Sequence, residues 1–130
     1  MKLKIITPIG LYKEGEVSSV HVTTVEGETT ILDNHMPIVA MLKTCKCTLM
    51  ENKELNTYAL AGGLLQFSNN EMRILCDAIE GRDEIDIERA RRAKERAETR
   101  LRKQDSRTNI KRAEVALAKA INRIHVYGDH

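Results

Sequence analysis

Short bursts of alternating apolar and polar residues run along the first part of the chain, from Met1 to about Ile79. Alternation with a period of two is typical of strands that bury one face. The clearest bursts are Leu3 and Ile5; Val20 and Val22; Cys45, Cys47 and Leu49; and Met72, Ile74 and Cys76. Turn-forming residues separate the bursts at 7–10, 26–28, 33–34, 51–53 and 68–70. This spacing predicts a β-sandwich or barrel of short strands and leaves the strand order open.

The period of the pattern changes after Asp83. Apolar residues then recur at helical spacing in two series, which are Ile87, Ala90, Ala97 and Leu101, and Ile110, Ala113, Leu117, Ala120 and Ile124. The polar stretch 103–109 suits the loop of an antiparallel helical hairpin, with Asp83 or Asp86 capping the first helix and Thr108 the second. We therefore predict two domains, a β-sandwich over residues 1–83 and a two-helix domain over residues 84–130.

Alanine dominates the apolar stripes of both predicted helices. At about 25 cal/mol per Å² of apolar surface buried, an alanine methyl contributes far less than a leucine or isoleucine side chain. The hairpin should therefore be held weakly, which makes it a candidate moving part. Alanine also has the best intrinsic helix propensity, so a helix released from its packing keeps more of its structure.

Composition narrows the class of protein further. A chain of 130 residues can build one medium core, or a small core with an appendage. It contains no run of eighteen apolar residues and no secretory signal, so we expect a cytoplasmic protein. Three cysteines without a CxxC pair are expected to be reduced and structural.

The net charge of +2 conceals two halves of opposite sign. Residues 1–83 hold eight Lys and Arg against eleven Asp and Glu, a net charge of −3, whereas residues 84–130 hold thirteen against eight, a net charge of +5. Such asymmetry favours different partners for the two halves, although charge also keeps a long exposed helix solvated.

Patterns that mark common active sites are missing from the sequence. There is no GxxxxGK[ST] loop, no GxGxxG after a strand, no GxSxG elbow and no His or Cys spacing typical of a metal site. Gly62 and Gly63 lead into a strand, so we interpret them as permitting an unusual backbone or a close approach. His35, in a turn, is best explained by a bond to local backbone. We expect no enzyme activity from the chain by itself.

The basic hairpin is the remaining candidate for function. Arg89, Arg92 and Arg96 share a face of the first helix, and an antiparallel hairpin could bring them close to Lys119 and Arg123 around one anion. The alternative is that Glu88, Glu95 and Glu98 neutralise these arginines in ordinary helix-surface pairs. Nucleic acid is a weaker alternative, because the chain has no Trp and no known nucleic-acid-binding motif.

Four stretches in order carry a resemblance to a known family: "TPIG", "VEGETTILDNHMPIVAMLK", "YALAGGLLQFSNNEMRILCDAIEG" and "EIDIERARRAKERAETRL". Together they resemble the ε-subunit family of bacterial rotary F-type ATP synthases, the counterpart of the mitochondrial δ subunit. The resemblance implies a ten-stranded β-sandwich followed by a helical hairpin. It also implies a non-catalytic subunit of the central stalk, on the cytoplasmic face of the bacterial cell membrane as part of the complex.

The resemblance further implies which surfaces meet which partners. In that family the sandwich docks on the γ subunit and on the c-ring, coupling proton-driven rotation to ATP synthesis, and Glu28 and His35 match positions on that surface. The hairpin of the family meets the α and β subunits and restrains ATP hydrolysis. A free-standing small-molecule or nucleic-acid binding module that shares the fold is the alternative.

Some members of the family also bind ATP as a regulatory ligand, through an I/L-D-x-x-R-A motif that "IDIERA" matches fully. The resemblance implies that the nucleotide-contacting positions are Glu80, Ile85, Asp86, Arg89, Ala90, Arg96, Lys119 and Arg123. Lys119 stands where the best binders have an arginine, and the loss of a bidentate fork there should lower affinity. No cofactor is expected to be required.

Overall fold

The computed structural model describes residues 1–103 and 109–128. The chain divides into two compact units, Met1–Gly81 and Arg82–His130. The first unit consists of strands and the second consists of helices. None of the described helices is both long enough and apolar enough to cross a membrane.

Eight strands make up the first unit. They are β1 (Lys2–Thr7), β2 (Gly10–Glu16), β3 (Ser19–Thr24), β4 (Gly27–Leu32), β5 (Ile38–Glu51), β6 (Glu54–Ser68), β7 (Glu71–Cys76) and β8 (Ile79–Gly81). The predicted turns lie between them, and several turn residues have the positive φ that Asn and Gly tolerate best. These residues are Gly10, Gly27, Asn34, Asn52, Asn69 and Asn70.

The strands form one hydrogen-bonded sheet in the order β2-β1-β7-β6-β5-β3-β4, with β8 also paired to β6. β1 and β7 are parallel, and the other neighbouring pairs are antiparallel. The prediction of ten strands is wrong. The two longest strands, β5 and β6, run without a break over 14 and 15 residues, and long unbroken strands lower the number of strands.

One hydrophobic core joins both ends of this sheet. Leu3 and Ile5 of β1 and Val20 and Val22 of β3 belong to the same buried cluster, although their strands lie far apart in the sheet order. The sheet must therefore fold over on itself as a sandwich, with β5 and β6 running through both layers. Cys45, Cys47 and Cys76 are buried and form no disulfide. Burial raises the pKa of the Cys76 thiol to about 11 and also raises that of Cys47, which keeps both neutral.

The glycine pair in β6 lies where β6 meets β7 and the strand bends. Gly62 and Gly63 have φ of 69° and 152°. A Cβ on Gly63 would lie 2.2 Å from the carbonyl oxygen of Leu75, closer than atoms can approach. The predicted unusual backbone and close approach are therefore confirmed.

A polar cluster lies beside the β5–β6 turn. Lys13 Nζ donates to Glu51 Oε1 at 2.7 Å, and Asn56 Nδ2 donates to Glu51 Oε2 at 2.7 Å. Burial raises the pKa of Glu51, but the bonds from Lys13 and Asn56 lower it by more, and the net shift is downward. The hydrogen bond to Glu51 raises the pKa of Lys13. Tyr58 contacts this cluster, and its ring meets that of Tyr12 edge to face.

The second unit is a helical hairpin preceded by one 3₁₀ turn, Arg82–Glu84. Its helices are α1 (Ile87–Lys103) and α2 (Ile110–Gly128). The Asp86 carboxylate accepts from the Arg89 amide at 3.1 Å, so of the two predicted caps for α1 Asp86 is the one used. Asn109 caps α2 by accepting from the Arg112 amide at 3.0 Å, while the predicted cap Thr108 lies outside the described residues.

Small residues fill the interface between the two helices. The fully buried side chains are Ala90 and Ala97 on α1 and Ala113, Ala120 and Val126 on α2.

A hydrogen bond shows the relative direction of the two helices. Arg82 Nε donates to the carbonyl oxygen of Tyr127 at 2.8 Å, which ties the start of the unit to the end of α2. The two helices therefore run antiparallel, as the sequence predicts.

Candidate functional site

Glu28 lies on β4, at one edge of the sheet, where a strand has a free side. Its side chain is 74% exposed, and its Oε1 lies 3.7 Å from His21 Nε2 on the neighbouring strand. The other ring nitrogen of His21 lies 2.6 Å from Thr30 Oγ1. The carboxylate therefore stands at the surface, with a histidine beside it and room for an external donor.

His35 follows β4 in the turn that leads to β5. Its Nδ1 donates to the carbonyl oxygen of Met36 at 2.7 Å, which places a proton on Nδ1. Its ring contacts the buried Phe67 edge to face, with centroids 6.2 Å apart. The local backbone bond predicted from the sequence is confirmed, and the ring is exposed at the surface.

A row of apolar side chains crosses the outer face of the sheet. Directly opposed residues on neighbouring strands point to the same face. Ile6 of β1 is opposite Leu11 of β2 and Leu75 of β7, and Leu64 of β6 is opposite both Leu75 and Met41 of β5. We call these five residues the apolar row.

The apolar row faces away from the core. Leu11 and Met41 are each 56% exposed and Leu75 is 37% exposed, whereas the preceding Ile74 is fully buried. Val39, on the same face of β5, extends the exposed apolar surface. A contiguous apolar surface on a sheet face that should be polar is typical of a docking surface.

Sequence reasoning missed the apolar row. A signal was present in Ile5-Ile6, Met41-Leu42, Leu64-Leu65 and Ile74-Leu75, four adjacent apolar pairs within strands. Strict alternation allows one inward residue per pair, so each pair must point one apolar residue outward. Only the strand register shows that these outward residues adjoin one another.

The motif residues of the hairpin differ in exposure. Ile85 and Ala90 are buried, Asp86, Arg89 and Arg96 are exposed, and Lys119 and Arg123 are half-buried. Glu80 belongs to β8 in the first unit, whereas the other predicted nucleotide-contacting residues belong to the second. Asp86 already accepts one bond as the cap of α1.

The basic residues of the two helices share one edge of the hairpin. Arg89, Arg96 and Lys119 each directly precede a buried interface alanine, namely Ala90, Ala97 and Ala120. In two antiparallel right-handed helices, the residue before an interface position points to the same side of the pair on both helices. Arg123, three residues after Ala120, lies toward that side as well. We call Arg89, Arg96, Lys119 and Arg123 the basic edge.

The alternative interpretation was that glutamates of α1 neutralise the arginines of the proposed anion site, but two of these glutamates pair with other cations. Glu88 pairs with Arg91 at 2.8 Å and Glu98 lies 3.9 Å from Lys94. Within residues 1–103 and 109–128, the guanidinium groups of Arg89 and Arg96 have no carboxylate partner. The basic edge can therefore offer charged forks to an external anion.

A β-sandwich with an exposed apolar row, joined to a helical hairpin with a basic edge, defines a two-part interaction protein. The model of the ATP synthase Delta/Epsilon chain β-sandwich domain matches residues 1–82, and that of the long α-helix domain matches residues 83–128. The chain belongs to the ATP synthase delta/epsilon chain family. The resemblance inferred from the four stretches is confirmed, as is the prediction of a non-catalytic subunit.

Relatives match over nearly the whole chain. The ATP synthase epsilon chain of Clostridium novyi (strain NT) is 46% identical over 126 residues, covering 96% of this chain and 95% of the relative. The ATP synthase epsilon chain of Halalkalibacterium halodurans is 40% identical over 129 residues, covering 98% of this chain and 97% of the relative.

Solved structures show the same fold at low sequence identity. A chain of the Euglena gracilis mitochondrial ATP synthase, in a structure of OSCP, F1 and the c-ring, has a TM-score of 0.80 at 23% identity, covering 92% of this chain and 76% of that one. A chain of the Tetrahymena thermophila mitochondrial ATP synthase central stalk and c-ring has a TM-score of 0.60 at 15% identity, covering 98% and 92%.

Proposed function

We propose that this protein is the epsilon subunit of an ATP synthase central stalk, where it couples proton translocation to ATP synthesis. Its sandwich docks on the γ subunit and the c-ring, and its hairpin meets the α and β subunits and restrains ATP hydrolysis. It is peripheral to the membrane, on its cytoplasmic face, as part of the complex. The observation that carries this proposal is the apolar row, an exposed apolar surface on a member of this family.

The apolar row supports docking on the γ subunit. Burying exposed leucine and methionine side chains contributes about 25 cal/mol per Å². An apolar surface on a sheet face also has no role inside an isolated sandwich. Glu28 and His35 offer an exposed carboxylate and an exposed imidazole ring, which suit the polar loops of a c-ring. Partner choice thus follows from the chemistry of each surface.

Leu11→Ser and Met41→Ser test the docking proposal. Each removes an exposed apolar side chain from the row, so association with purified α, β and γ subunits should weaken about tenfold or more in a co-purification or binding titration. Leu55→Ser is the matched control, because Leu55 is 63% exposed on β6 but lies outside the row. Equal binding by the Leu11 and Leu55 variants, with melting temperatures unchanged, would contradict a docking role for the row.

The hairpin is proposed to regulate hydrolysis. Its alanine interface holds α1 and α2 together with little buried apolar area, and its net positive charge suits acidic partner surfaces. A chain that ends after residue 83 should still assemble with the complex and should relieve the inhibition of ATP hydrolysis. Loss of assembly would show that docking and regulation are not divided between the two units.

ATP is proposed as the regulatory ligand of the basic edge. The basic edge carries three arginines and one lysine. These side chains suit a polyphosphate, because a guanidinium group can donate two parallel hydrogen bonds to two phosphate oxygens. Ile85, Asp86 and Ala90 belong to the family motif, and Glu80 is a further nucleotide-contacting position that the resemblance implies. We expect that the protein requires no metal or other cofactor.

Calorimetric titration with ATP, and with ADP for comparison, tests the basic edge. Arg96→Ala should weaken ATP binding about tenfold or more, while Arg91→Ala should not, because Arg91 pairs with Glu88 and points to the opposite edge. Asp86→Asn keeps a capping side chain and removes the charge, so it separates a site role from the helix-cap role that Asp86→Ala would also remove. Unchanged affinity in both Arg96→Ala and Asp86→Asn would refute the assignment.

A further inference from the structure

The segment just before α1 holds the far end of α2. Arg82 lies in the 3₁₀ turn Arg82–Glu84, and Tyr127 lies in the last turn of α2, 45 positions later in the chain. The Arg82 Nε–H donates to the Tyr127 carbonyl oxygen at 2.8 Å. This contact is tertiary, and it closes the second unit at the end opposite the link between the helices.

The Tyr127 carbonyl oxygen lies at a helix end, where carbonyl groups lack a donor within the helix. The last carbonyl groups of an α-helix have no intrahelical donor, and they carry the partial negative charge of the helix dipole. Cationic side chains near this end satisfy the carbonyls and stabilise the helix. Arg82 supplies both the hydrogen bond and the positive charge, and it does so from outside the helix.

The apolar attachment of α2 is uneven along its length. The fully buried positions of α2 are Ala113, Ala120 and Val126, and Val126 is the largest of them. Leu117, Ile121 and Ile124 are half-buried and lie in the middle and the carboxyl-terminal half of the helix. Val126 directly precedes Tyr127, so the largest fully buried side chain and the Arg82 bond lie in one helical turn. Apolar contact is therefore heaviest toward the carboxyl end of α2, and before Leu117 the fully buried side chain is Ala113.

We propose that Arg82 is a latch for α2: its guanidinium fastens the carboxyl end of the helix, and its release frees α2 from α1 along its whole length. Apolar contact is heaviest toward the latched end, so loss of that end leaves Ala113, Ala120 and the half-buried Leu117, which are too few to hold the remainder. The latch is a property of the isolated chain and goes beyond the proposed docking, inhibition and ATP binding. None of those proposals is needed for it.

Amide hydrogen exchange of the full-length chain, resolved by residue or short peptide, tests the latch. Arg82→Ala should speed exchange of the amides between Ala113 and Val126 about tenfold or more, and by a common factor, because α2 opens as a unit. The strands of the sandwich should keep their protection. Arg91→Ala is the control for loss of an arginine from this unit, and it should leave α2 unchanged.

Two further variants separate the guanidinium from its surroundings. Tyr127→Ala keeps the backbone acceptor and should therefore preserve most of the protection of α2. Arg82→Lys keeps the charge without the Nε donor and should give an intermediate rate. Acceleration confined to the last turn of α2 would show that Arg82 is a local cap and would overturn the latch. An effect of Tyr127→Ala on amide exchange equal to that of Arg82→Ala would also overturn the latch.

Discussion

Gly63 occupies a place in β6 where no side chain fits. A Cβ there would meet the Leu75 carbonyl oxygen at 2.2 Å, and its φ of 152° disfavours any other residue. Gly63→Ala should therefore lower the free energy of unfolding by about 3 kcal/mol or more, measured by urea denaturation. Gly15→Ala is the matched control, because no atom lies within 4 Å of that Cβ position, and it should change stability by about 0.5 kcal/mol or less.

The Lys13–Glu51 pair gives the sandwich a defined response to pH. The pKa of Glu51 is lowered in the folded state, so its stabilisation is present above the unfolded value of about 4.3 and is lost as pH falls through the folded value. The pKa of Lys13 is raised, so its stabilisation is present below about 10.4 and is lost as pH rises through the folded value. The pair therefore stabilises the fold between about pH 5 and 10.

Glu51→Gln measures that contribution. The variant should lose about 1–2 kcal/mol of unfolding free energy at pH 7, because the charge-assisted bond from Lys13 becomes a neutral one. Its deficit should shrink as pH falls below about 4.3 and through the lowered pKa of folded Glu51, because the carboxylate of the unmodified chain is protonated over that range. A deficit that stays constant from pH 7 to pH 3 would assign the loss to packing instead of charge. Urea titrations at both pH values provide the comparison.

Single residues were predictable where local chemistry decides their conformation. Asn52 and Asn69 were predicted to lie in turns, and both have the positive φ that turn asparagines often adopt. His35 makes the local backbone bond expected of a turn histidine. The partner of Arg91 could not be foreseen. Arg91 has a carboxylate at each of two helical spacings, Glu88 three positions before it and Glu95 four positions after it, and rotamer choice decides between them.

At the scale of elements, the change of period after Asp83 correctly separated strands from helices. The number of ten strands came from the resemblance and was wrong. The alternating pattern left the strand order open, because turn residues and alternation do not tell whether a strand ends or bends into the other layer. Gly62 and Gly63 allow β6 to bend and continue. The apolar row was missed for a related reason, since it exists only in the pairing between strands.

The start of α2 provides a test at the same scale. Asn109 accepts the Arg112 amide hydrogen bond, so Asn109→Ala should cost about 1 kcal/mol of helix stability. Amide exchange in the first turn of α2 should then be about fivefold faster, whereas Asn109→Asp, which keeps an accepting oxygen, should be close to the unmodified chain. If both variants exchange equally fast, the side-chain oxygen is not what holds this helix end.

At the scale of the whole molecule, the sandwich contains its own core. Every residue of the main buried cluster lies between Met1 and Ile79, so none of it comes from the helices. A chain that ends after residue 83 should therefore unfold in one cooperative transition, with a melting temperature within about 5 °C of the sandwich transition in the full chain. A broad or strongly lowered transition, followed by circular dichroism, would show that the sandwich depends on the helical unit.

The net charge of the chain changes sign at the same boundary at which strands give way to helices. The residues that carry the excess of positive charge are those of the helical unit, and the sandwich carries the excess of negative charge. Composition alone could indicate this division. The placement of individual cations on one edge required the positions of the buried alanines, which only the packed hairpin shows.

The continuity of β5 and β6 through both layers has a mechanical consequence. In a sandwich made of two separate sheets, a lateral force on one sheet is resisted by side-chain packing alone, and the sheets can slip. Here 14 and 15 residues of unbroken backbone, hydrogen-bonded to each other along their length, join the layers. A sideways load applied to one layer is carried into the other by covalent bonds in tension, so the sandwich transmits force as a stiff body.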